Sequence, residues 1–251
     1  MENERHLHLN DRKEWNLGVI ADIASIVNGV AGIIAIYTTF MGEFLLSVRF
    51  MSLGVLLDAL DGYLGRKAKL PTTRRRGIYI DSVCDGITFG LYPAALYLAF
   101  FQKTTLVVVP AGVYVVTAWY RLARYTQEAD IDRFRGFPSP GAAAITSSFL
   151  ILFKLPVSLV AVFFVTVAIL MASKIPYPSF KRPRGVEKIF LSGTGIVAGL
   201  FVVLPASVGI FTLILLFLLS VVYVLVGPFW IRSAERRNHV KKREQETSGK
   251  E

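Results

Sequence analysis

Residues 44–66 read FLLSVRFMSLGVLLDALDGYLGR, and residues 77–100 read GIYIDSVCDGITFGLYPAALYLAF. Both stretches are apolar, and both reach the roughly 20 residues a helix needs to cross a hydrocarbon layer of about 30 Å. The first carries Asp58 and Asp61 and the second Asp81 and Asp85, with no Lys or Arg between the members of either pair. A carboxylate at membrane depth costs about 2.5–3.5 kcal/mol on insertion scales, so four together cost about 10 kcal/mol or more. Such acids require compensating cations. The pattern points to a divalent-metal site inside a membrane protein.

Working outward, similar apolar blocks recur at residues 18–40, 105–124, 140–153, 155–173, 186–205 and 207–231. The chain has 251 residues, is 53% hydrophobic and has a mean hydropathy of +0.52. These features predict an all-α fold, a polytopic transmembrane helical bundle of about eight spans, with six as the lower count because blocks such as 140–153 are short. Repeated apolar blocks of this length favour helices over a barrel, whose strands would alternate apolar and polar residues over about ten positions. Residues 1–231 read as one integral-membrane domain and residues 232–251 as a polar, basic C-terminal tail, either solvated or a frayed helix. Residues 7–16 (LHLNDRKEWN) are expected to form a short interfacial helix, with Leu7, Leu9 and Trp15 at the membrane surface. The first apolar block is too long for a signal peptide and lacks a small-residue cleavage site, so it reads as a retained span.

The formal net charge of +10 raises the possibility of nucleic-acid binding, but the distribution argues against it. With a cytoplasmic N-terminus, every Lys and Arg except Arg49, Lys103 and Lys154 falls on one side of the membrane. That is the positive-inside asymmetry. It places all four aspartates near the cytoplasmic face and the basic excess against anionic headgroups, in a multi-pass membrane protein. The single cysteine, Cys84, excludes an intramolecular disulfide and a cysteine-based zinc site. His6, His8 and His239 lie in the polar tails.

Helix residues three or four apart share a face. Asp58 with Asp61, and Asp81 with Asp85, therefore present two carboxylate pairs, enough for one or two hard cations such as Mg²⁺ or Mn²⁺. Paired metals clamp phosphate esters. Gly62, Gly65 and Gly77 remove side chains where a phosphate must approach the backbone, and Arg66 offers bidentate hydrogen bonds to phosphate oxygens. The short basic linker predicts antiparallel, neighbouring helices for the two acidic pairs. An ion-coupled transporter built on the same acids is the alternative from another class, but it leaves the Gly and Arg spacing unexplained.

The run Asp58-x-x-Asp61-Gly62-x-x-Gly65-Arg66…Gly77-x-x-x-Asp81-x-x-x-Asp85 resembles the signature of the CDP-alcohol phosphatidyltransferases. It departs from that signature in having Gly65 where Ala is usual and in a slightly longer linker. The resemblance implies enzymes that displace CMP from a CDP-linked lipid with an alcohol. It implies metal ligation by Asp58, Asp61, Asp81 and Asp85, with the general-base role falling to Asp85 as the catalytic residue, and CDP-diphosphate contacts from Gly62, Gly65, Arg66 and Gly77. Asp22, Ser25 and Asn28, a polar stripe at i, i+3, i+6 on the first span, are assigned by the same resemblance to CDP, with inter-helix hydrogen bonding as the alternative. A homodimer is also implied.

Further runs resemble the phosphatidylserine synthase branch: Asp81-Ser82-x-x-Asp85-x-x-Thr88-Phe89-Gly90-x-x-Pro93-Ala94, Arg121-Leu122-Ala123-Arg124-Tyr125, Gly136-Phe137-Pro138-Ser139-Pro140, and Lys174-Ile175-Pro176-Tyr177-Pro178-Ser179-Phe180-Lys181. This branch implies transfer from CDP-diacylglycerol or CDP-archaeol to L-serine in a prokaryotic cell membrane. A sister enzyme using glycerol phosphate or inositol phosphate is the other acceptor reading. A serine carboxylate needs a cation, and Arg121, Arg124 and Lys181 are the candidates. The last two apolar blocks carry no recognised motif.

Overall fold

The computed structural model describes residues 2–67, 71–101, 104–127, 134–178 and 186–248. Side chains are described for 15–67, 76–101, 104–124, 126, 136–178, 189–205 and 207–231. The described residues are mostly helical, with one short strand pair and short irregular connections. In chain order they form α1 (Glu2–Phe40), α2 (Phe44–Lys67), α3 (Pro71–Asp85), a π-helical segment (Gly86–Leu91), α4 (Tyr92–Phe100), α5 (Thr105–Gln127), β1 (Phe134–Arg135), α6 (Ser139–Leu152), α7 (Val157–Ala172), β2 (Pro176–Tyr177), α8 (Val186–Val203) and α9 (Ala206–Ser248). Each apolar block of the sequence coincides with a helical segment. Four segments are long and apolar enough to cross a membrane: Trp15–Phe40, Arg76–Phe100, Thr105–Arg124 and Ser207–Ile231. Three more, Ser139–Leu152, Val157–Ala172 and Ile189–Val203, are apolar but shorter.

One expectation changes at the N-terminal end, and the tail takes one of its two expected forms. The stretch 7–16 is not a separate interfacial helix, because α1 runs unbroken from Glu2 to Phe40. No Gly or Pro interrupts it before Gly18, so nothing in the chain forces a break. The C-terminal tail continues α9 as helix to Ser248.

Helix α1 organises the front of the bundle. It packs most extensively along α2 and also along α3 and the π-helical segment, whereas α2 and α3 touch each other only sparingly. The acidic helices are thus not the close antiparallel neighbours predicted; α1 bridges them. Small residues permit this approach. A Cβ on Gly54 of α2 would lie 2.6 Å from Asn28 Oδ1 and 2.6 Å from Thr88 Cγ2. Behind this layer, α5 packs on α7, and α8 and α9 pack on each other, α8 also meeting α2 and α9 meeting α6.

The fully buried core is aromatic. Tyr97 stacks on Phe164 at 4.4 Å and Tyr114 leans on the same ring at 5.5 Å. Outward faces are apolar as well: Ile20, Ile23, Val30 and Ile33 on α1 are about half exposed, as are Val108, Val109 and Tyr120 on α5. In water such faces would aggregate; against lipid they are the ordinary exterior.

The π-helical segment has a local cause. In α-helical pairing the Phe89 carbonyl would accept from the N–H of residue 93, but that residue is proline. The Tyr114 hydroxyl donates to the Phe89 oxygen instead, at 3.1 Å. Tyr92 N–H closes a wide turn onto the Ile87 oxygen, and Thr88 Oγ1 donates to the Asn28 carbonyl at 2.9 Å. The widened turn begins immediately after Asp85, and such turns are frequent at functional sites.

Candidate active site

Three of the four carboxylates converge. Asp58 and Asp61 on α2 and Asp81 on α3 each offer an oxygen within 4.8 Å of the others. This trio consists of hard oxygen donors only, a set that suits Mg²⁺, Mn²⁺ or Ca²⁺ and not a thiophilic metal. The cluster can hold a metal ion. Asp85 borders the same cavity but stands outside the trio.

The polar stripe of α1 faces these acids directly. Ser25 Oγ donates to Asp61 Oδ2 at 2.6 Å, and Asn28 Nδ2 donates to Asp85 Oδ1 at 2.9 Å. Asp22 accepts from Arg76 Nε at 2.8 Å, with Arg76 Nη2 at 2.5 Å. All three stripe residues are buried. Their side chains therefore perform the inter-helix hydrogen bonding that was the alternative reading: each orients a charged partner on α2 or α3. Asn28 Oδ1 is buried and has no hydrogen-bond partner among the described residues.

A cavity of about 460 Å³ opens beside the trio. Asp58, Asp81, Asp85, Gly62 and Arg66 form its charged wall. The Arg66 side chain folds back along α2, its Nη1 3.3 Å from where a Cβ on Gly62 would sit. Gly65 has nothing within 4 Å of a Cβ position and is absent from the cavity wall. Gly77 serves a different neighbour, because a Cβ there would lie 3.2 Å from Asp22 Oδ1.

The two arginines of α5 part company. Arg121 is 6% exposed, lines the cavity, and donates from Nη1 to Ser139 Oγ at 2.5 Å. Arg124 is directed away from the cavity. It donates to the carbonyls of Ala172 and Ser173 at 3.3 and 3.4 Å, where it satisfies the carboxyl end of α7. Of the two arginines expected to serve one ligand, Arg121 lines the cavity, whereas Arg124 is absent from its lining and is engaged by the α7 carbonyls. Lys181 lies outside the described residues.

A further part of the wall comes from helices in which the sequence shows no motif. Leu191, Thr194 and Ala198 of α8, with Leu216, Leu219 and Tyr223 of α9, line the same cavity as the acids. The only available signal was composition, since small and aliphatic residues recur along both helices. Ser52 of α2, 1% exposed, also lines the cavity, and its hydroxyl has no partner among the described residues. One cavity therefore joins a metal-competent acid cluster, two arginines and an apolar wall. That combination suits a diphosphate carrying a lipid tail.

Comparison with known proteins agrees with this geometry. The family model for CDP-alcohol phosphatidyltransferase matches residues 18–174. The chain is 30% identical over 172 residues to the archaetidylserine synthase of Methanothermobacter thermautotrophicus, covering 68% of this chain and 74% of that one. It is 28% identical to a CDP-diacylglycerol–serine O-phosphatidyltransferase of Helicobacter pylori, covering 64% and 72% of the two chains. It is 27% identical to the Bacillus subtilis protein of the same name, covering 66% and 93%. The matched region contains every acid of the cluster, both cavity arginines and the α1 stripe; this chain belongs to the CDP-alcohol phosphatidyltransferase family.

Proposed function

We propose that the protein transfers a phosphatidyl or archaetidyl group from a CDP-linked lipid to the hydroxyl of L-serine, with release of CMP. The observation that carries this reading is the single cavity in which Asp58, Asp81, Asp85, Arg66 and Arg121 face an apolar wall. The names of the relatives, all serine transferases, support the choice of acceptor.

Asp58, Asp61 and Asp81, with Asp85 at their border, hold two Mg²⁺ or Mn²⁺ ions, which supply charge neutralisation to the diphosphate. Asp85 has one carboxylate oxygen engaged by Asn28. Its other oxygen takes the proton of the serine hydroxyl. The serine oxygen then attacks the β-phosphorus, the bond from that phosphorus to the bridging oxygen breaks, and CMP departs. Arg66 stabilises the charge that builds on the phosphate oxygens. Gly62 leaves room for the diphosphate against α2, and the Asp22–Arg76 pair fixes the entry of α3.

The lipid tails remain in the bilayer while the headgroup enters from the cytoplasm, the side that the basic residues mark. All eight apolar helices cross the membrane in this reading, the shorter ones tilted or locally thinning the bilayer. The protein is a homodimer of a prokaryotic cell membrane.

The test is purified protein with CDP-diacylglycerol or CDP-archaeol, Mn²⁺ or Mg²⁺, and a panel of L-serine, glycerol phosphate and inositol phosphate. CMP release with formation of the serine lipid is expected. Release only with another alcohol would reassign the acceptor.

A further inference from the structure

Two sequence runs, Gly136–Pro140 and Lys174–Pro178, contain no acid, yet the structure joins them into one unit beside the cavity. Phe134 pairs with Tyr177 and Arg135 with Pro176 in the β1–β2 ladder. Gly136 N–H donates to the Ile175 carbonyl at 2.8 Å, and Phe137 N–H to the Leu170 carbonyl at 3.0 Å. Gly136 has φ +85° and packs against the Met171 and Ser173 carbonyls, so a side chain there would both strain the backbone and collide. Tyr177 leans on Phe137 at 5.5 Å and stacks on Tyr223 at 5.7 Å, whose hydroxyl donates to the Pro178 carbonyl at 2.6 Å. Arg124 ties the end of α7 to the same unit.

This unit lines the cavity with Phe137, Pro138 and Pro140, and it places Ser139 behind that wall. Ser139 is fully buried between Pro138 and Pro140, whose rings fix the backbone on either side. Its Oγ accepts from Arg121 Nη1 at 2.5 Å. Arg121, itself buried, stands in the cavity wall with Asp58, Asp81 and Asp85.

We infer that Ser139 is a positioning residue that sets the Arg121 guanidinium to receive the carboxylate of the acceptor. The inference rests on the serine-transferase reading and deepens it. In serine only two carbons separate the hydroxyl-bearing oxygen from the carboxylate carbon, so one small cavity must hold both ends. Arg66 and Arg121 are the two cations in the wall among the described residues, and they come from different helices, α2 and α5. Arg66 lies over Gly62 beside Asp58, where the diphosphate is placed. Arg121 comes from α5, next to the first turn of α6. A carboxylate takes two parallel N–H bonds from a guanidinium only when the plane of that group is held, and the Ser139 contact holds it. The unpartnered Ser52 hydroxyl in the same wall is a second polar group available to a small polar acceptor.

The test compares wild type, Ser139→Ala and Ser139→Thr in detergent or vesicles, measuring KM for L-serine and for CDP-diacylglycerol in the same preparations. Loss of a hydrogen bond to a charged group predicts a rise of about tenfold in the serine KM of Ser139→Ala. The CDP-diacylglycerol KM stays within about twofold, the thermal shift produced by L-serine shrinks in parallel, and Ser139→Thr restores both. Because the two KM values come from one folded population, a general loss of protein does not imitate this split. A rise confined to the CDP-diacylglycerol KM would assign Arg121 to phosphate and overturn the inference. Unchanged values for both substrates would reduce Ser139 to packing. Wild-type protein that releases no CMP with serine would overturn the parent reading, before any variant is compared.

Discussion

Substitution of Ser25 by Ala probes how α1 controls the acid cluster without touching a substrate. The Ser25 hydroxyl has one proton and two acceptors in range, the Ala21 carbonyl at 3.2 Å and Asp61 Oδ2 at 2.6 Å. The shorter distance is that of a charge-assisted O–H···O⁻ bond, so the proton belongs to Asp61. Such a bond contributes about 1.5–3 kcal/mol, and each 1.4 kcal/mol is about tenfold in an equilibrium constant. Loss of an outer partner of a metal-ligating group likewise weakens metal binding by about 10- to 100-fold. Ser25→Ala removes one buried oxygen and leaves no sizeable void, so the fold persists. The expected result is a rise of about 10- to 100-fold in the Mn²⁺ concentration for half-maximal CMP release. The kcat at saturating Mn²⁺ is expected to stay within about twofold of wild type, since the hydroxyl orients a ligand and takes no part in the chemistry. Direct Mn²⁺ binding by calorimetry follows the same shift, and Ser25→Thr, which keeps the hydroxyl, reverses it. An unchanged Mn²⁺ midpoint, or a loss of turnover that no amount of metal restores, would refute the argument.

Asp85→Asn removes the proposed base while nearly preserving size; CMP release from CDP-lipid and serine is expected to vanish with the thermal midpoint retained, and substantial residual turnover would take Asp85 out of that role. Tyr114→Phe leaves the buried Phe89 carbonyl without its donor, at a cost of about 1–3 kcal/mol read as a lower unfolding temperature. Because the widened turn starts at Asp85, kcat is expected to fall as well; a stability loss with unaltered kcat would separate the turn from catalysis. Gly54→Val places methyl groups where Asn28 and Thr88 already sit, so folded yield is expected to collapse, whereas Gly65→Ala, with open space around it, is expected to be silent.

The helices and the acid cluster were legible because both depend on local spacing. Apolar runs of span length mark helices wherever they occur, and carboxylates three or four apart share a face whatever surrounds them. The stripe Asp22, Ser25 and Asn28 was legible as a face, but not its target. Asp61 and Asp85 lie 36 and 57 residues from their α1 partners, and only packing brings them together. Arg121 and Arg124 show the same limit: three apart on one helix, they separate because the carbonyl end of α7 takes one and Ser139 the other. The π-helical turn left a trace in Pro93, yet its rescue by Tyr114 depends on a helix that follows in the chain. The wall formed by α8 and α9 was illegible because aliphatic contact with a cavity has no spacing of its own.

That wall lies wholly beyond residue 174, where the family match ends, while every acid and both cavity arginines lie before it. On the proposed function, part of the surface offered to the lipid tail lies outside the stretch that carries the acids, while Val55, Leu56, Phe137 and Ala144 add apolar lining from within it. On that reading, substitutions in α8 and α9 would alter the fit to branched isoprenoid or straight acyl tails while the aspartates keep their register. A chimera that exchanges residues 186–231 between relatives handling different lipids is the natural instrument for moving one property without the other.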